Sequence, residues 1–296
     1  MQRFKRLAVG LTRTATDPGL IRYAAMVARL GTAEQVRFVH VLPTGSAPSP
    51  VAVREDLRAT VRDHFAGVPG SVETTFDVLS GPLFDRLLAD TAEEQTDLLL
   101  LGHRRDHPGR WALARRMAMK AAASIWMVPE GSPDTLGRIL VPVDFSDPTA
   151  DSLRVAVAAA ARAGHTECLA LHVYFNEATA TYEGYDQVLR GQEAAAFEKF
   201  IAPIDTLGVR VVPVFEEGAN VAHVINRVAE KNGCDLVVMA SRGRSRSAAI
   251  LLGSVAEETI RETQVPLLVV KHFGARMGFL DALFEKGYLQ RSPRFD

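Results

Sequence analysis

The sequence has few cysteines, lacks any long apolar run and has almost no excess of charge. Its two cysteines, Cys168 and Cys234, do not show the spacing of a disulfide framework or a metal cluster, so we expect buried thiols in a reducing compartment. No run approaches the ~18 apolar residues of a membrane span, and residues 7–11 are too few for a secretory signal. A net charge of −1 argues against general nucleic-acid binding. These features predict a cytoplasmic protein with no nucleic-acid partner and no stable membrane insertion.

Four apolar segments occur twice along the chain, in the same order. Residues 6–11, 36–41, 97–102 and 124–128 resemble residues 138–143, 168–173, 235–240 and 266–270. The distance between the copies grows in order along the chain, as expected for a duplication with small loop insertions. A chain of 296 residues, 47% of them hydrophobic, is also long enough for two domains with real cores.

The repeated segments indicate the fold class. Each is a short run of Val, Leu and Ile, which is typical of a strand buried on both faces of a parallel sheet. Helical patterns lie between the strands of the second copy at residues 147–162, 187–205 and 219–231, giving the order βαβαβαβαβ. This alternation favours right-handed crossovers. We therefore expect an α/β protein with two tandem, open, doubly wound parallel-sheet domains of the Rossmann-like kind.

The composition of residues 131–134 is that of a linker. We place a first domain at residues 1–131, a second at residues 136–272 and a C-terminal tail at residues 273–296. The tail contains an amphipathic segment at residues 279–289. It could dock on a partner or a membrane surface, but we expect it to pack on its own chain or across a dimer.

Small and charged residues follow the predicted strands of the second copy, at the edge where such sheets bind ligands. Asp144 and Val173 follow its first two strands, and residues 240–243 follow its fourth. Gly253 and Ser254 then open a predicted helix, whose free amides and positive dipole end favour a phosphate. The intervening loop adds cationic donors at Arg242, Arg244 and Arg246.

The spacing at this edge resembles the ATP-binding signature of the universal stress proteins. That signature reads Gly-x-x-Gly, nine residues, then Gly-Ser/Thr, and Gly243, Gly253 and Ser254 fit it. Residues 141–146 resemble the opening strand of that family, and residues 172–173 resemble its second strand. The chain is identified as a tandem member, with a resemblance that spans both copies but not the tail. It implies a fold like that of the adenine nucleotide alpha hydrolases.

The resemblance also implies a ligand and roles for particular residues. The ligand would be ATP, or ADP or AMP, with Mg²⁺ as an optional companion. Asp144 would bond the ribose or adenosine region, and Val173 would contact the adenine. The phosphates would be held by Gly253, Ser254 and Val255. The other residues expected to line the site are Pro142, Val143, Met239, Ala240, Arg242 and Gly243.

Both copies depart from the family pattern. Ala240 stands where the signature has its first glycine, so its methyl group could crowd the phosphates or demand an unfavourable backbone angle. In the first copy, Thr12 replaces Asp144, and Trp111 with Ala112 replaces the Gly-Ser pair. An indole prevents backbone approach to a phosphate, so we expect the first copy to have lost its site.

Several of these residues also fit structural roles. Ser254 and Glu257 match a capping box, and Asp144 could cap the helix that follows it or accept hydrogen bonds from loop amides. The basic run at residues 241–247 could be a solvated loop. The residues at 103–107 are expected to form an exposed polar loop, not a metal site. His40 and His172 are expected to be half-buried packing residues.

The sequence thus predicts a non-enzymatic nucleotide-binding regulator of the stress response, as a homodimer or with a partner protein. Slow hydrolysis stays open, but no nucleophile and base can be assembled from the sequence. One alternative is a nucleotide-free interaction module that dimerises through its edge strands or its tail. Another is an adenylating or nucleotidyl-transfer enzyme, although no H-I-G-H or S-G-G-x-D-S motif is present.

Overall fold

In the computed structural model, the described part of the chain forms ten strands and eight helices, which alternate within each half. The described residues are 4–30, 33–45, 49–104, 110–175, 185–243 and 252–271. The first half comprises β1 (Arg6–Gly10), α1 (Asp17–Arg29), β2 (Gln35–Leu42), α2 (Pro50–His64), β3 (Glu73–Ser80), α3 (Leu83–Glu93), β4 (Leu98–His103), α4 (Arg110–Lys120) and β5 (Ser124–Pro129). The second half comprises β6 (Ile139–Pro142), α5 (Asp147–Arg162), β7 (Glu167–Tyr174), α6 (Tyr185–Ile201), β8 (Arg210–Glu217), α7 (Val221–Lys231), β9 (Leu236–Ala240), α8 (Ser254–Glu262) and β10 (Leu267–Val270).

All ten strands belong to one sheet, with the order β3-β2-β1-β4-β5-β10-β9-β6-β7-β8. Within each half the neighbouring strands are parallel, and the order reverses direction next to the first strand of that half. The predicted α/β class, with doubly wound parallel sheets, is confirmed. The sequence did not predict that the halves join edge to edge through β5 and β10, which are antiparallel.

Two hydrophobic cores cover the two faces of this sheet, and each contains residues from both halves. On one face Trp126 of β5 belongs to the same core as Ile139 of β6. On the other face Met127 shares a core with Leu267 of β10. Both cores therefore continue across the antiparallel junction, so the described parts of the two halves pack as one body.

The three helical patterns of the second half correspond to helices with slightly different ends. The helix predicted at residues 147–162 is α5. The helix predicted at residues 187–205 stops at Ile201, because Pro203 follows and the residue before a proline is disfavoured in a helix. The helix predicted at residues 219–231 starts at Val221, where the Asn220 side chain accepts the backbone N–H of His223 at 2.8 Å.

Both cysteines are buried, as expected from the sequence. Burial raises the pKa of Cys168 to about 12 and that of Cys234 to about 11, so both stay protonated thiols at neutral pH. None of the helices in the described ranges is long and apolar enough to cross a membrane.

Candidate functional site

The first and fourth strands of the second half separate at their carboxyl ends. The register of β6 with β9 ends at Leu140, opposite Val237, whereas the matching pair β1 and β4 stays in register to Gly10, opposite Leu101. The residue after Val141 is Pro142, which has no N–H to donate to a neighbouring strand. The separation lies where the strand order reverses, the usual ligand position in such sheets.

A cavity of about 600 Å³ occupies this point. All eleven residues predicted for the site line it: Pro142, Val143, Asp144, Val173, Met239, Ala240, Arg242, Gly243, Gly253, Ser254 and Val255. Eight further residues complete the lining: Thr149, Leu171, Val221, Ile225, Ser241, Leu252, Ala256 and Glu257. Four of these add apolar surface that the sequence signature does not include: Leu171 on β7, Val221 and Ile225 on α7, and Leu252, which precedes Gly253. The walls are therefore apolar towards β7 and α7, and polar where α8 begins.

Asp144 is half-buried in the loop that follows β6, and its carboxylate accepts hydrogen bonds that close this loop. Its Oδ1 accepts hydrogen bonds from the Ser146 backbone N–H at 3.1 Å and from the hydroxyl of Thr149 at 3.0 Å. The Ser146 hydroxyl donates to the same oxygen. Phe145 between them has a φ of 62°, a left-handed conformation that costs a phenylalanine free energy. Asp144 thus has the loop-closing role that the sequence left open, and it lines the cavity as well.

Gly243 has a packing reason to be glycine. A Cβ placed on it would overlap the Oδ2 atom of Asp144. Because three groups hold Oδ1 of that carboxylate, it has little freedom to move aside. Glycine at position 243 therefore lets the loop that follows β9 approach the loop that follows β6 closely.

Gly253 differs from Gly243 in this respect. It is the N-cap of α8, with a φ of −76° that any residue can adopt, and an added Cβ would meet nothing closer than 3.6 Å. Its N–H donates to the carbonyl of Ser241 at 2.8 Å, which ties the start of α8 to the end of β9. The described fold alone gives no reason for glycine at position 253.

Ser254 is the first residue of α8 and not its N-cap. Gly253 at the N-cap has no side chain that could cap the helix, and Glu257 forms an ion pair with Arg115 of the first half. The capping-box interpretation of Ser254 and Glu257 is therefore wrong. The first turn of α8 lies next to the cavity, and no side chain in the described ranges caps its amides.

Ala240 is accommodated without strain. It is the last residue of β9 and pairs in register with Val270, so its backbone is extended. The concern that this position demands an unfavourable angle for alanine is not supported by its conformation. Its methyl group is one of the small surfaces that line the cavity.

Positive charge lies close to the carboxyl end of β9. Arg242 lines the cavity, and Lys271, which follows β10, is 5% exposed. Burial, and secondarily the charge of Arg242, lowers the pKa of Lys271 to about 8. The Lys271 ammonium donates to the carbonyl of Ala118 near the end of α4, so this cation also links the two halves.

In the first half, the loop after β1 is also closed by a hydrogen bond between a threonine and an aspartate, but the two residue types have exchanged positions. Thr12 stands at the position of Asp144, and its hydroxyl donates to Oδ1 of Asp17 at 2.9 Å. Asp17 stands at the position of Thr149, is the first residue of α1 and is 3% exposed. The first half thus keeps the loop hydrogen bond but withdraws the carboxylate into its interior.

Two further features distinguish the first half. A Cβ placed on Gly10 would lie 2.8 Å from Cδ2 of Leu101, so the leucine side chain fills the space above the end of β1. Trp111 lies in the first turn of α4, but its side chain is outside the described residues. The predicted loss of the first site stays a prediction.

His40 and His172 hold matching positions and do more than pack. Nδ1 of each donates to the carbonyl of the residue that follows the first strand of its half, to Leu11 at 2.9 Å and to Val143 at 2.8 Å. His172 is also stacked on Phe145 with a ring-centroid distance of 4.2 Å. The histidines therefore fix the loops that carry Thr12 and Asp144.

One further prediction at this edge is wrong, and several others concern residues outside the described ranges. His103 is buried at the end of β4 and is not part of an exposed loop, so that expectation is wrong for this residue. No group of metal-ligating side chains is found in the described ranges. Arg244 and Arg246, His107 and the tail lie outside the described residues.

Comparisons with known proteins identify the family. The family model described as universal stress protein family matches residues 135–271. A universal stress protein of Methanocaldococcus jannaschii is 31% identical over 140 residues, which cover 45% of this chain and 81% of that protein. The chain belongs to the universal stress protein family. A second universal stress protein of that organism is 34% identical over 68 residues, 23% of this chain and 41% of its own length.

The fold of a universal stress protein extends over both halves. The crystal structure of one from Archaeoglobus fulgidus matches 92% of this chain and 98% of its own, with 16% sequence identity and a TM-score of 0.65. At that identity the match describes the fold alone. The predicted resemblance to the universal stress proteins is confirmed.

Proposed function

We propose that the second half of this universal stress protein binds one adenine nucleotide and that the protein is a non-enzymatic regulator of the stress response. One observation carries the proposal. The residues that the resemblance to a nucleotide-binding family predicts for the site are far apart in sequence, and all of them line one cavity. Its volume of about 600 Å³ is within the range of about 300–1,000 Å³ of small-molecule sites.

The chemistry of the walls supports this ligand class. Val173 and Ile225 offer apolar surface for a purine, and Asp144 offers a carboxylate for ribose hydroxyls. At the other end, Gly253 and Ser254 open α8, whose first amides and positive dipole favour phosphate oxygens. Mg²⁺ would enter as the companion ion of the phosphates. Binding would bias contacts with a second copy or a partner protein.

Calorimetry tests the proposal with protein from which carried-over ligand has been stripped. Wild-type protein titrated with ATP and Mg²⁺ is expected to bind one equivalent, and Gly253→Trp is expected to abolish binding because the indole blocks the start of α8. Absence of heat at millimolar nucleotide would reject the proposal and favour a nucleotide-free interaction module.

The first half supplies a matched control for Asp144. The double variant Asp144→Thr with Thr149→Asp reproduces the loop of Thr12 and Asp17, so we expect it to fold with its loop hydrogen bond retained. It moves the carboxylate from the half-buried position 144 to the buried position 149, deeper in the cavity wall. We expect a loss of about tenfold or more in ATP affinity, since unpaired ribose hydroxyls cost about 1–3 kcal/mol. Unchanged affinity in a folded double variant would exclude a ligand-binding role for Asp144.

A further inference from the structure

The first turn of α8 lies between two clefts. Ser254 and Glu257 line the cavity described above, and both also line a cleft of about 570 Å³ between α8 and α4 of the first half. Glu257 is the fourth residue of α8, so its carboxylate belongs to the turn that lines the cavity. A carboxylate there competes with a bound polyanion for the same positive helix end.

An arginine from the first half meets this carboxylate. Arg115 lies on α4, which packs against α8, and its Nη1 donates to Oε1 of Glu257. The neighbouring carboxylate of Glu258 is engaged within its own half, by Asn220 at 3.0 Å and by Arg261 at 3.4 Å. The cation of Arg115 is therefore directed at the one carboxylate of this turn that also lines the cavity.

We infer that Arg115 is a positioning residue that sets the preference of the second half for highly charged nucleotides. It neutralises Glu257 at the phosphate end of the cavity, so that phosphate groups approach α8 without meeting an uncompensated negative charge. The inference rests on the proposed function and deepens it. The first half, whose own loop has withdrawn its carboxylate, thereby contributes a residue to the site of the second half.

The test compares ligands that share the adenosine group and differ in their number of charged phosphate groups. Affinities for ATP, AMP and adenosine are measured by calorimetry for wild-type protein, Arg115→Ala, Glu257→Gln and the double variant. The Arg115–Glu257 pair is roughly half exposed, with 42% and 43% of its side chains accessible, so solvent screens it. We therefore expect Arg115→Ala to weaken ATP binding by about fivefold and adenosine binding by less than about twofold, with AMP between them.

The double variant separates charge from packing. If Arg115 acts by neutralising Glu257, adding Glu257→Gln to Arg115→Ala restores ATP affinity to within about twofold of wild type. Arg115→Lys, which keeps the charge, is expected to behave like wild type. The effect on ATP should also shrink as salt is raised, because exposed charges are screened. Thermal unfolding without nucleotide reports any loss of stability separately.

The outcomes distinguish a failure of the inference about Arg115 from a failure of the proposed nucleotide binding. If wild-type protein binds ATP but Arg115→Ala weakens ATP and adenosine equally, or the double variant fails to recover, the inference is wrong and the proposed function stands. If wild-type protein binds none of the three ligands, both are wrong.

Discussion

At the residue scale, the comparison of the two halves shows what a carboxylate at position 144 adds. The loop after the first strand closes with an aspartate and a threonine in both halves, at 2.9 Å in one and 3.0 Å in the other. Folding alone is therefore satisfied by either arrangement. The arrangement of the second half places the carboxylate on the cavity wall, which is the reason to assign it a part in binding.

The two signature glycines provide a prediction at this scale. Gly243→Ala is expected to lower the free energy of unfolding by about 1–3 kcal/mol, since the new methyl group overlaps a carboxylate held by three hydrogen bonds. Gly253→Ala is expected to change it by less than about 0.5 kcal/mol, because the backbone suits alanine and no atom lies closer than 3.6 Å. Chemical denaturation of both variants checks this. Equal destabilisation would contradict the geometry of the two loops.

For these two glycines, the sequence predicted their positions in the site but not their contacts. The nine-residue spacing found the positions, because a ligand-binding loop is a local pattern. It could not assign Gly243 its neighbour, since Asp144 comes close only through the pairing of two strands. Ile225 and Glu257 were not predicted as site residues. In the sequence, Ile225 resembles an ordinary core residue of a helix, and Glu257 resembles an ordinary surface residue of a helix.

At the element scale, eight strands were recognised because each is repeated in the other half. β3 and β8 were not named, since they lie at the two outer edges of the sheet and carry mixed, partly exposed sequences. Edge strands lack the continuous apolar pattern of buried ones. β8 also contains Pro213, which is tolerated at an edge because its missing N–H is not needed there.

The junction between β10 and α4 predicts a dependence of stability on pH. Lys271 has an ordinary pKa of 10.5, which burial lowers to about 8 in the folded protein. Between those two values the unfolded chain binds more protons, so the contribution of Lys271 to the free energy of unfolding rises with pH. Below about pH 8 the lysine is charged in both states, and the folded protein bears the cost of burying it.

Lys271→Met tests this dependence. The difference in free energy of unfolding between variant and wild type should shift in favour of wild type as pH rises from about 8 to about 10.5, by an amount on the order of 3 kcal/mol. Denaturant titrations at several pH values measure it. Parallel pH profiles for the two proteins would show that burial does not perturb this lysine.

At the scale of the whole molecule, a duplicated chain folds into one sheet. The sequence indicates two similar units but holds no signal for their edge-to-edge pairing, because β5 and β10 read as ordinary buried strands. Shared cores on both faces, the Lys271 contact and the Arg115–Glu257 pair all cross the junction.

Shared cores predict cooperative unfolding. We expect a single calorimetric transition for both halves, because separating them would expose the apolar residues that meet beside β5 and β10. A nucleotide that binds only the second half should then raise the midpoint of the whole transition. Two resolved transitions, with only one of them shifted by ATP, would show that the halves unfold independently.

The cavity between β6, β9 and α8 is the proposed site of an adenine nucleotide. The most direct measurement is a crystal structure of the protein grown with ATP and Mg²⁺. We predict density for one nucleotide per chain, with its base beside Val173 and its phosphates at the amides that follow Gly253. A cavity that stays empty at millimolar ATP, or a nucleotide bound elsewhere on the chain, would contradict the proposed binding site.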